Sequence, residues 1–342
     1  MTRFFIFILT CCIGLGYAQP NGFTEEDLNF VYSGNRIVGK LITPVRVSEA
    51  RLPVIVFIHG SGPEDFNSSG DYNYLWSEFT KVGYACYSWS RPGVGQSEGR
   101  WYEMSVYDRA NEVLSAIVAL KKSDKIDQAR IGLWGISQAG WVIPIVAKKI
   151  DPAFVITISS PVTTAFEQEL YRVEASLGAD GFDSESIRQA IDYCKSLKNL
   201  IDERRSFDEF TKLQKETAHA SWINNVIRGD EVVYKYLSIV FRDDKAPDLS
   251  SMRMPVLAIW GENDLVVPPT ISSETYHNAL TRIKNEHARI EIIPDADHTM
   301  TFNLSGRNSD TWKRRKDFRD NPEKIFAPDY VSLMIEWLKS TF

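Results

Sequence analysis

The sequence contains few cysteines and no excess of basic residues. Four cysteines occur among 342 residues, and none belongs to a CxxC pair or to a Cys/His spacing typical of a metal site. The formal net charge is -6, whereas binding to a nucleic-acid backbone requires a concentrated basic surface. These absences argue against a cysteine-based metal site and against nucleic acid as the main partner.

Long apolar runs are also scarce. The run over residues 4–16 is too short to span a bilayer, and no later stretch is long and apolar enough to do so. It follows Arg3 and precedes Gly16-Tyr17-Ala18, which supplies small residues where a signal peptidase reads the chain. We therefore expect a signal peptide over residues 1–18, export to the periplasm or the extracellular space, and no stable membrane insertion.

The cysteines leave one alternative for the N-terminus. A lipid anchor at Cys11 or Cys12 would also export the chain, but Thr10 stands where a small Gly or Ala is usual. The mature chain would keep Cys86 and Cys194. Because Cys86 lies in an apolar run typical of a buried strand, we expect two separate buried thiols.

Apolar material is plentiful elsewhere. Hydrophobic residues make up 44% of the chain and charged residues 25%, which suffices for a large core in one or two compact domains. A hairpin is predicted around Ser33-Gly34-Asn35, with strands over 30–32 and 36–42. Apolar runs then alternate with amphipathic segments, with strands predicted over 53–58, 84–89, 130–134, 154–159, 255–260 and 289–293 and helices over 75–81, 106–120, 139–149 and 330–342. This alternation predicts an α/β fold with a mostly parallel central sheet and helices on both faces.

The alternation stops between residues 161 and 250. This segment carries 17 acidic and 12 basic residues, and its patterns predict helices over 167–177, 184–200 and 207–219. Because the strand pattern resumes afterwards, we interpret it as a helical cap inserted into a core formed by residues 19–160 and 251–342. Later, the basic run Lys313-Arg314-Arg315-Lys316 is expected to form an exposed connection before the last helix.

The turn around Ser137 is the strongest local signal for chemistry. It joins a strand to a helix in the sequence Gly135-Ile136-Ser137-Gln138-Ala139-Gly140, whose small residues permit a sharp bend. A serine there would point up from the sheet edge beside the first N–H groups of the helix. It is a candidate nucleophile, although a helix N-cap serine would show the same pattern.

A serine nucleophile needs a base, and the base needs a carboxylate to orient it. Asp264 follows a predicted strand in Gly261-Glu262-Asn263-Asp264, and His298 follows the next strand. Both would therefore lie at the carboxyl edge of the sheet, where α/β proteins place their sites. Asp264 is the candidate acid and His298 the candidate base. Asp295 and Asp297 are the rival acids, but they lie so near His298 in sequence that they would reach its far nitrogen poorly.

Acyl transfer also requires donors for an oxyanion. The backbone N–H of Gln138 is one candidate, because it follows the nucleophile directly. The backbone N–H of Ser61 is the other, since Gly60 and Gly62 let that loop approach closely. His59 precedes this loop and is expected to hold it in shape.

Taken together, HGSGP at 59–63, RPGVGQS at 91–97, GISQAG at 135–140, Gly261-x-x-Asp264 and Asp297-His298 resemble the α/β-hydrolase superfamily. Within it they are similar to bacterial secreted esterases and the serine-aminopeptidase-like branch; Ala139 replaces the usual glycine. The resemblance implies a serine esterase that works through an acyl-enzyme on a small-molecule acyl ester, with no metal or organic cofactor. An aminopeptidase or other amide hydrolase with the same triad is the alternative, since acidic residues of the cap would suit an ammonium group. A non-catalytic binding protein is the third reading.

Overall fold

The structure is a computed structural model that describes residues 22–45, 51–242 and 245–342. The predicted signal peptide, with Cys11 and Cys12, lies outside the described residues. Within them, no helix has both the length and the apolar character needed to cross a membrane. Cys86 and Cys194 are both buried and free, and burial raises the pKa of each thiol.

An eight-stranded sheet forms the centre of the molecule. The ten strands of the described chain are β1 Phe23–Asp27, β2 Phe30–Tyr32, β3 Asn35–Ile37, β4 Gly39–Pro44, β5 Leu52–Ile58, β6 Ala85–Trp89, β7 Ile126–Ile136, β8 Phe154–Ile158, β9 Val256–Gly261 and β10 Ala288–Ile293. The large sheet has the order β1-β4-β6-β5-β7-β8-β9-β10. Its neighbours pair in parallel from β6 to β10, and only β1 and β4 add antiparallel pairs at one edge. The predicted α/β fold with a mostly parallel sheet is confirmed.

The described chain has ten α-helices: α1 Asp71–Lys81, α2 Val106–Leu120, α3 Ala139–Ile150, α4 Ala165–Ala179, α5 Ser184–Asp202, α6 Phe207–Glu216, α7 Glu231–Val240, α8 Pro269–Arg282, α9 Asn308–Asp317 and α10 Tyr330–Thr341. Helices α2, α3 and α8 pack on one face of the large sheet, and α1 and α10 pack on the other. Strand β5 shows why the fold forms, because its side chains alternate between two buried clusters: Val54 and Val56 join one, and Ile55 and Phe57 join the other. Such a strand needs apolar cover on each face.

The predicted hairpin is shorter than expected. Ser33 and Gly34 form its two-residue turn with φ angles of 48° and 80°, the left-handed conformation that such turns require. The second predicted strand is divided at Val38, whose N–H donates to Ser97 Oγ at 2.9 Å. The chain then leaves the hairpin, and β4 pairs with β6 in the large sheet.

Four helices, α4 to α7, lie between β8 and β9 and are called here the inserted helices. Their apolar residues form a cluster of their own, joined by Trp101 and Trp141 from the sheet-covering part of the chain. Helix α7 lies outside the three helical segments predicted from the sequence. Its position matters because it carries Tyr236, a side chain that reaches the elbow around Ser137.

The basic run over 313–316 does not form an exposed connection as expected. It belongs to helix α9, and the Arg315 side chain is only 13% exposed, because it forms an ion pair with Asp71. The Arg314 guanidinium lies over the rings of Phe302 and Phe318, at 4.8 and 4.3 Å from their centroids. Two of the four cations therefore fix α9 to the core.

Candidate active site

Ser137 lies in a sharp turn between β7 and α3. Its φ angle of 56° is in the left-handed region, which costs a non-glycine residue conformational energy. The turn is closely packed: a Cβ at Gly135 would lie 2.6 Å from the Cβ of Ala139, and one at Gly140 would lie 2.7 Å from that of Ser160. These contacts explain why the elbow needs small residues and how it leaves Ser137 half-buried at the sheet edge.

Asp264 follows β9 and is held rigidly by its own backbone. Its Oδ1 accepts hydrogen bonds from the N–H groups of Val266 and Val267, both at 2.8 Å. Its Oδ2 lies 2.9 Å from His298 Nδ1. Since a carboxylate only accepts, His298 donates through Nδ1, and the lone pair of its neutral form is on Nε2. The structure thus joins Asp264 and His298 directly.

The Asp264 side chain is fully buried and that of His298 is 13% exposed. Burial by itself would lower the pKa of His298, but the charge and hydrogen bond of Asp264 outweigh it. The pKa of His298 is therefore raised above its ordinary value. An imidazole in this state holds a proton more readily, as a general base requires.

The end of β8 brings Ser137 and His298 to the same place. The Ser137 N–H donates to Ile158 O at 2.9 Å, and the hydroxyl of Ser159, the next residue, donates to His298 O at 2.8 Å. Among the described residues, neither Ser137 Oγ nor His298 Nε2 has a hydrogen-bond partner. Two of the three predicted residues are thus in contact, and the third lies at the same strand end with a free hydroxyl; such bonds are often formed only when substrate is bound.

Neither of the rival acids, Asp295 and Asp297, is hydrogen-bonded to His298 through its side chain in the described chain. Asp297 accepts hydrogen bonds from Thr299, Thr301 and Thr311, so it shapes the loop that carries His298. Asp295 donates its N–H to Glu262 Oε2 at 3.3 Å. Asp264 is the only carboxylate of the described chain that is hydrogen-bonded to His298.

The loop after β5 lies against Ser137. A Cβ at Gly60 would be 3.5 Å from Ser137 Cβ, and Gly62 has a φ of 102° that favours glycine. His59 anchors the loop through Trp89 O at 2.6 Å and Tyr72 Oη at 3.0 Å, and burial lowers the pKa of His59 to about 3, so it is neutral. The backbone N–H groups of Ser61 and Gln138 have no acceptor among the described residues.

Sequence reasoning missed a set of polar contacts around the elbow. Arg109, in α2, donates to Gln138 Oε1 at 2.5 Å and to His59 O at 2.6 Å. Gln138 Nε2 donates to Tyr236 Oη at 2.9 Å, and Tyr171 Oη donates to Asp264 O at 3.0 Å. A signal was present for Arg109, because it and Glu112 are the two charged residues among the apolar ones on the buried face of α2.

In the part of the chain that the structure describes, no three His, Cys, Asp or Glu side chains lie together in a way that could hold a metal ion. The sequence profile of the alpha/beta hydrolase family matches residues 55–307. These residues include the Ser137 elbow, Asp264 and His298. No curated protein matches the sequence.

Solved structures similar to this chain include an esterase of Pyrococcus furiosus, with a TM-score of 0.55 and 15% identity over 96% of this chain and 95% of the esterase. Est1E of Butyrivibrio proteoclasticus, solved with ferulic acid, has a TM-score of 0.52 and 18% identity, covering 91% of this chain and 96% of Est1E. An acylaminoacyl peptidase of Pyrococcus horikoshii has a TM-score of 0.50 and 19% identity over 90% of this chain but 42% of the peptidase. At these identities the likeness shows the shared fold.

Proposed function

This chain belongs to the alpha/beta hydrolase family, and we propose that it is a serine hydrolase that cleaves carboxylic esters. The observation that carries the proposal is the 2.9 Å hydrogen bond between His298 Nδ1 and the buried Asp264 Oδ2, beside a strained serine at the same sheet edge. A nucleophile needs a base, and a base needs an orienting acid. Ser137, His298 and Asp264 supply these roles.

The reaction follows from the placement of these groups. Ser137 Oγ attacks the acyl carbonyl while His298 Nε2 takes the hydroxyl proton, and the Asp264 carboxylate stabilises the imidazolium that forms. When the tetrahedral intermediate collapses, the C–O bond to the alcohol breaks and His298 returns its proton to the leaving oxygen. Water, deprotonated by His298, then attacks the acyl-enzyme, releasing the acid and restoring Ser137.

The free N–H groups of Ser61 and Gln138 suit the oxyanion that forms in each half of this reaction. Gln138 directly precedes the first residue of α3, so its N–H belongs to the positive end of a helix dipole. The Ser61 N–H lies in the loop packed against Ser137. Both are backbone donors, and the Ser61 hydroxyl is not required.

An ester substrate is favoured over a substrate with a free ammonium group by the charges of the inserted helices. Several of their exposed carboxylates already pair with a cation one turn away on the same helix: Glu185–Arg188, Lys198–Asp202, Lys212–Glu216 and Glu231–Lys235. Such pairs are typical of solvated helix faces. The acidic balance of this segment therefore gives little support to an aminopeptidase.

The experiment compares hydrolysis of p-nitrophenyl esters, from acetate to octanoate, by the wild type, Ser137→Ala and Ser196→Ala. Ser196 is exposed on α5 and serves as the matched control. We expect turnover in the wild type and control and its loss in Ser137→Ala.

Amino-acyl p-nitroanilides are assayed in parallel. Cleavage of these substrates without ester turnover would show that the protein is an aminopeptidase and not an esterase. A wild type that is inactive on both series and unlabelled by a fluorophosphonate would favour the binding-protein alternative.

We also propose that the chain is exported after cleavage behind Ala18, and that its substrate is a small-molecule ester met outside the cytoplasm. The support is the apolar run over 4–16 followed by Gly16-Tyr17-Ala18. Expression of the full chain in a bacterium with a Sec pathway tests this. We expect to find the protein in the periplasm or the medium with Gln19 at its N-terminus. A cysteine modified with diacylglycerol would show instead that the protein is a lipoprotein.

A further inference from the structure

Arg109 is a buried cation that contacts both backbone segments facing Ser137. It is 4% exposed, and its guanidinium donates to His59 O at 2.6 Å and to Gln138 Oε1 at 2.5 Å. One acceptor belongs to the loop after β5 and the other to the elbow after β7. The guanidinium group is planar and its N–H donors have fixed directions. It therefore holds the two acceptor oxygens at a fixed distance from each other.

The bond to His59 O orients the loop. In a trans peptide the carbonyl oxygen and the following N–H lie in one plane and point in opposite directions. Holding His59 O toward Arg109 therefore fixes where the Gly60 N–H points and how the chain enters Ser61. Arg91 fixes the other end of the same loop, because it donates to Gly62 O at 2.6 Å.

The bond to Gln138 orients the elbow. The Gln138 side chain is 3% exposed and is held at both ends, since its oxygen accepts from Arg109 and its nitrogen donates to Tyr236 Oη. A side chain held in this way restricts rotation about its own Cα. The free N–H of Gln138 consequently keeps one direction.

The charge of this group also suits an oxyanion. Arg109 and Arg91 are buried together with Glu112, whose carboxylate accepts from the Trp89 indole at 2.9 Å. The two guanidinium groups interact with the carboxylate of Glu112, and Arg91 also interacts with Glu64, whose pKa burial raises to about 7. His59 beside them is neutral. Burial lowers the pKa of Arg109 to about 9, which leaves the group protonated at neutral pH. A fixed positive charge in a water-poor site stabilises negative charge nearby.

We propose that Arg109 is a positioning residue that sets the spacing and direction of the Ser61 and Gln138 N–H donors through its bonds to His59 O and the Gln138 side chain. The proposal deepens the proposed function and rests on it. In the described chain the Arg109 side chain is hydrogen-bonded to Gln138 and His59 and not to Ser137. Its contribution is made in the transition states that lead to and from the tetrahedral intermediate, where negative charge develops on the carbonyl oxygen.

The test measures kcat and KM per active site, titrated with a fluorophosphonate, together with the Ki of an aliphatic trifluoromethyl ketone, which forms an oxyanion on the serine. In Arg109→Met and Arg109→Lys we expect kcat to fall by about 10- to 100-fold. This loss should not exceed the loss of kcat on removal of an oxyanion donor, which is about 10²- to 10³-fold. KM should change less than threefold, and the inhibitor Ki should rise in proportion to the loss of kcat. Arg172→Met, which removes a buried cation of the inserted helices, is the control and should lower Tm while leaving Ki within twofold.

Two results overturn the proposal. If the Arg109 variants lose Tm but keep wild-type kcat per titrated site and wild-type Ki, Arg109 only stabilises the fold. If Arg109→Met does not fold, Gln138→Met and Gln138→Glu are compared: glutamate keeps an acceptor for Arg109 and methionine does not. Equal losses of inhibitor affinity in these two would contradict the proposal. A wild type without ester turnover or labelling would instead reject the proposed function.

Discussion

His298 and Asp264 are joined by a 2.9 Å hydrogen bond between Nδ1 and Oδ2, although they follow different strands of the sheet. The bond orients the imidazole so that Nε2, the nitrogen on the opposite side of the ring, is left without a partner in the described chain. The carboxylate is fully buried and its second oxygen accepts two backbone N–H bonds. The acid therefore cannot rotate away from the histidine.

We predict that Asp264→Asn lowers kcat for ester hydrolysis by about 10³- to 10⁴-fold, because an amide at this position favours the wrong imidazole tautomer and leaves the imidazolium without its counter-charge. Steady-state kinetics checks this, with circular dichroism to show that the fold is kept. Asp295→Asn is the matched control, since Asp295 contacts Glu262 only through its backbone. A loss of the same size in Asp295→Asn, with none in Asp264→Asn, would show that Asp295 and not Asp264 is the acid.

The pH dependence should report the state of His298. Because Asp264 raises the pKa of His298 against the opposing effect of burial, the protonated, inactive form persists above pH 6.5, the ordinary pKa of histidine. kcat/KM should therefore rise with pH through a midpoint higher than 6.5. In Asp264→Asn the two main causes of the increase are gone, and only the smaller effect of the Asp297 charge still opposes burial. The midpoint of the residual activity or of fluorophosphonate labelling should therefore move to lower pH. A wild-type midpoint below 6.5 would contradict this electrostatic account.

Glu64 should make the fold less stable as pH rises. Burial raises the pKa of Glu64 from 4.5 to about 7, so between these values the folded state keeps a proton that the unfolded chain has lost. The free energy of unfolding then decreases as pH rises from about 4.5 to 7 and is level above it. The free energy of unfolding, measured in urea, should be higher for Glu64→Gln than for the wild type by up to about 3 kcal/mol at pH 8. Near pH 4 the two should be equal.

The control for this measurement is Glu286→Gln, which changes an exposed carboxyl. It should show the wild-type pH dependence. If Glu64→Gln shows that dependence too, the Glu64 carboxyl is not protonated at neutral pH in the folded protein.

The backbone strain at Ser137 should appear as a difference in the free energy of unfolding between two variants of this residue. Its φ of 56° suits glycine better than any residue with a Cβ. Both Ser137→Gly and Ser137→Ala should lack turnover, but the glycine variant should be the more stable of the two by about 0.5–1 kcal/mol, because relief of strain exceeds the extra chain entropy that glycine loses. An alanine variant at least as stable as the glycine variant would mean that the turn is relaxed.

The sheet and the candidate triad are predictable because each depends on a short stretch of chain. A strand such as β5 is apolar at nearly every position, and Ser137 and Asp264 follow apolar strand ends of this kind. His298 follows the edge strand β10, in which Arg289 and Glu291 alternate with apolar residues. The carboxyl ends of parallel strands share one edge, so local pattern was enough to expect these residues together.

The contacts of Arg109, Arg315 and Tyr236 were not predictable in the same way. Each joins segments far apart in the chain, as when Arg315 in α9 pairs with Asp71 in α1. The sequence shows a charge in an apolar helix or a basic run, but its partner depends on how helices pack over the sheet. The division of the hairpin at Val38 has the same origin, because the Ser97 hydroxyl that binds its N–H belongs to a distant loop.

The most direct test of the account is to identify the residue that a fluorophosphonate modifies. The protein is labelled near its activity optimum, digested, and the modified residue is located by tandem mass spectrometry. We predict one label per molecule on Ser137, formed with loss of ester turnover and absent in Ser137→Ala. A label on another serine with the same loss of turnover, or full turnover with Ser137 modified, would contradict the assignment of Ser137 as the nucleophile.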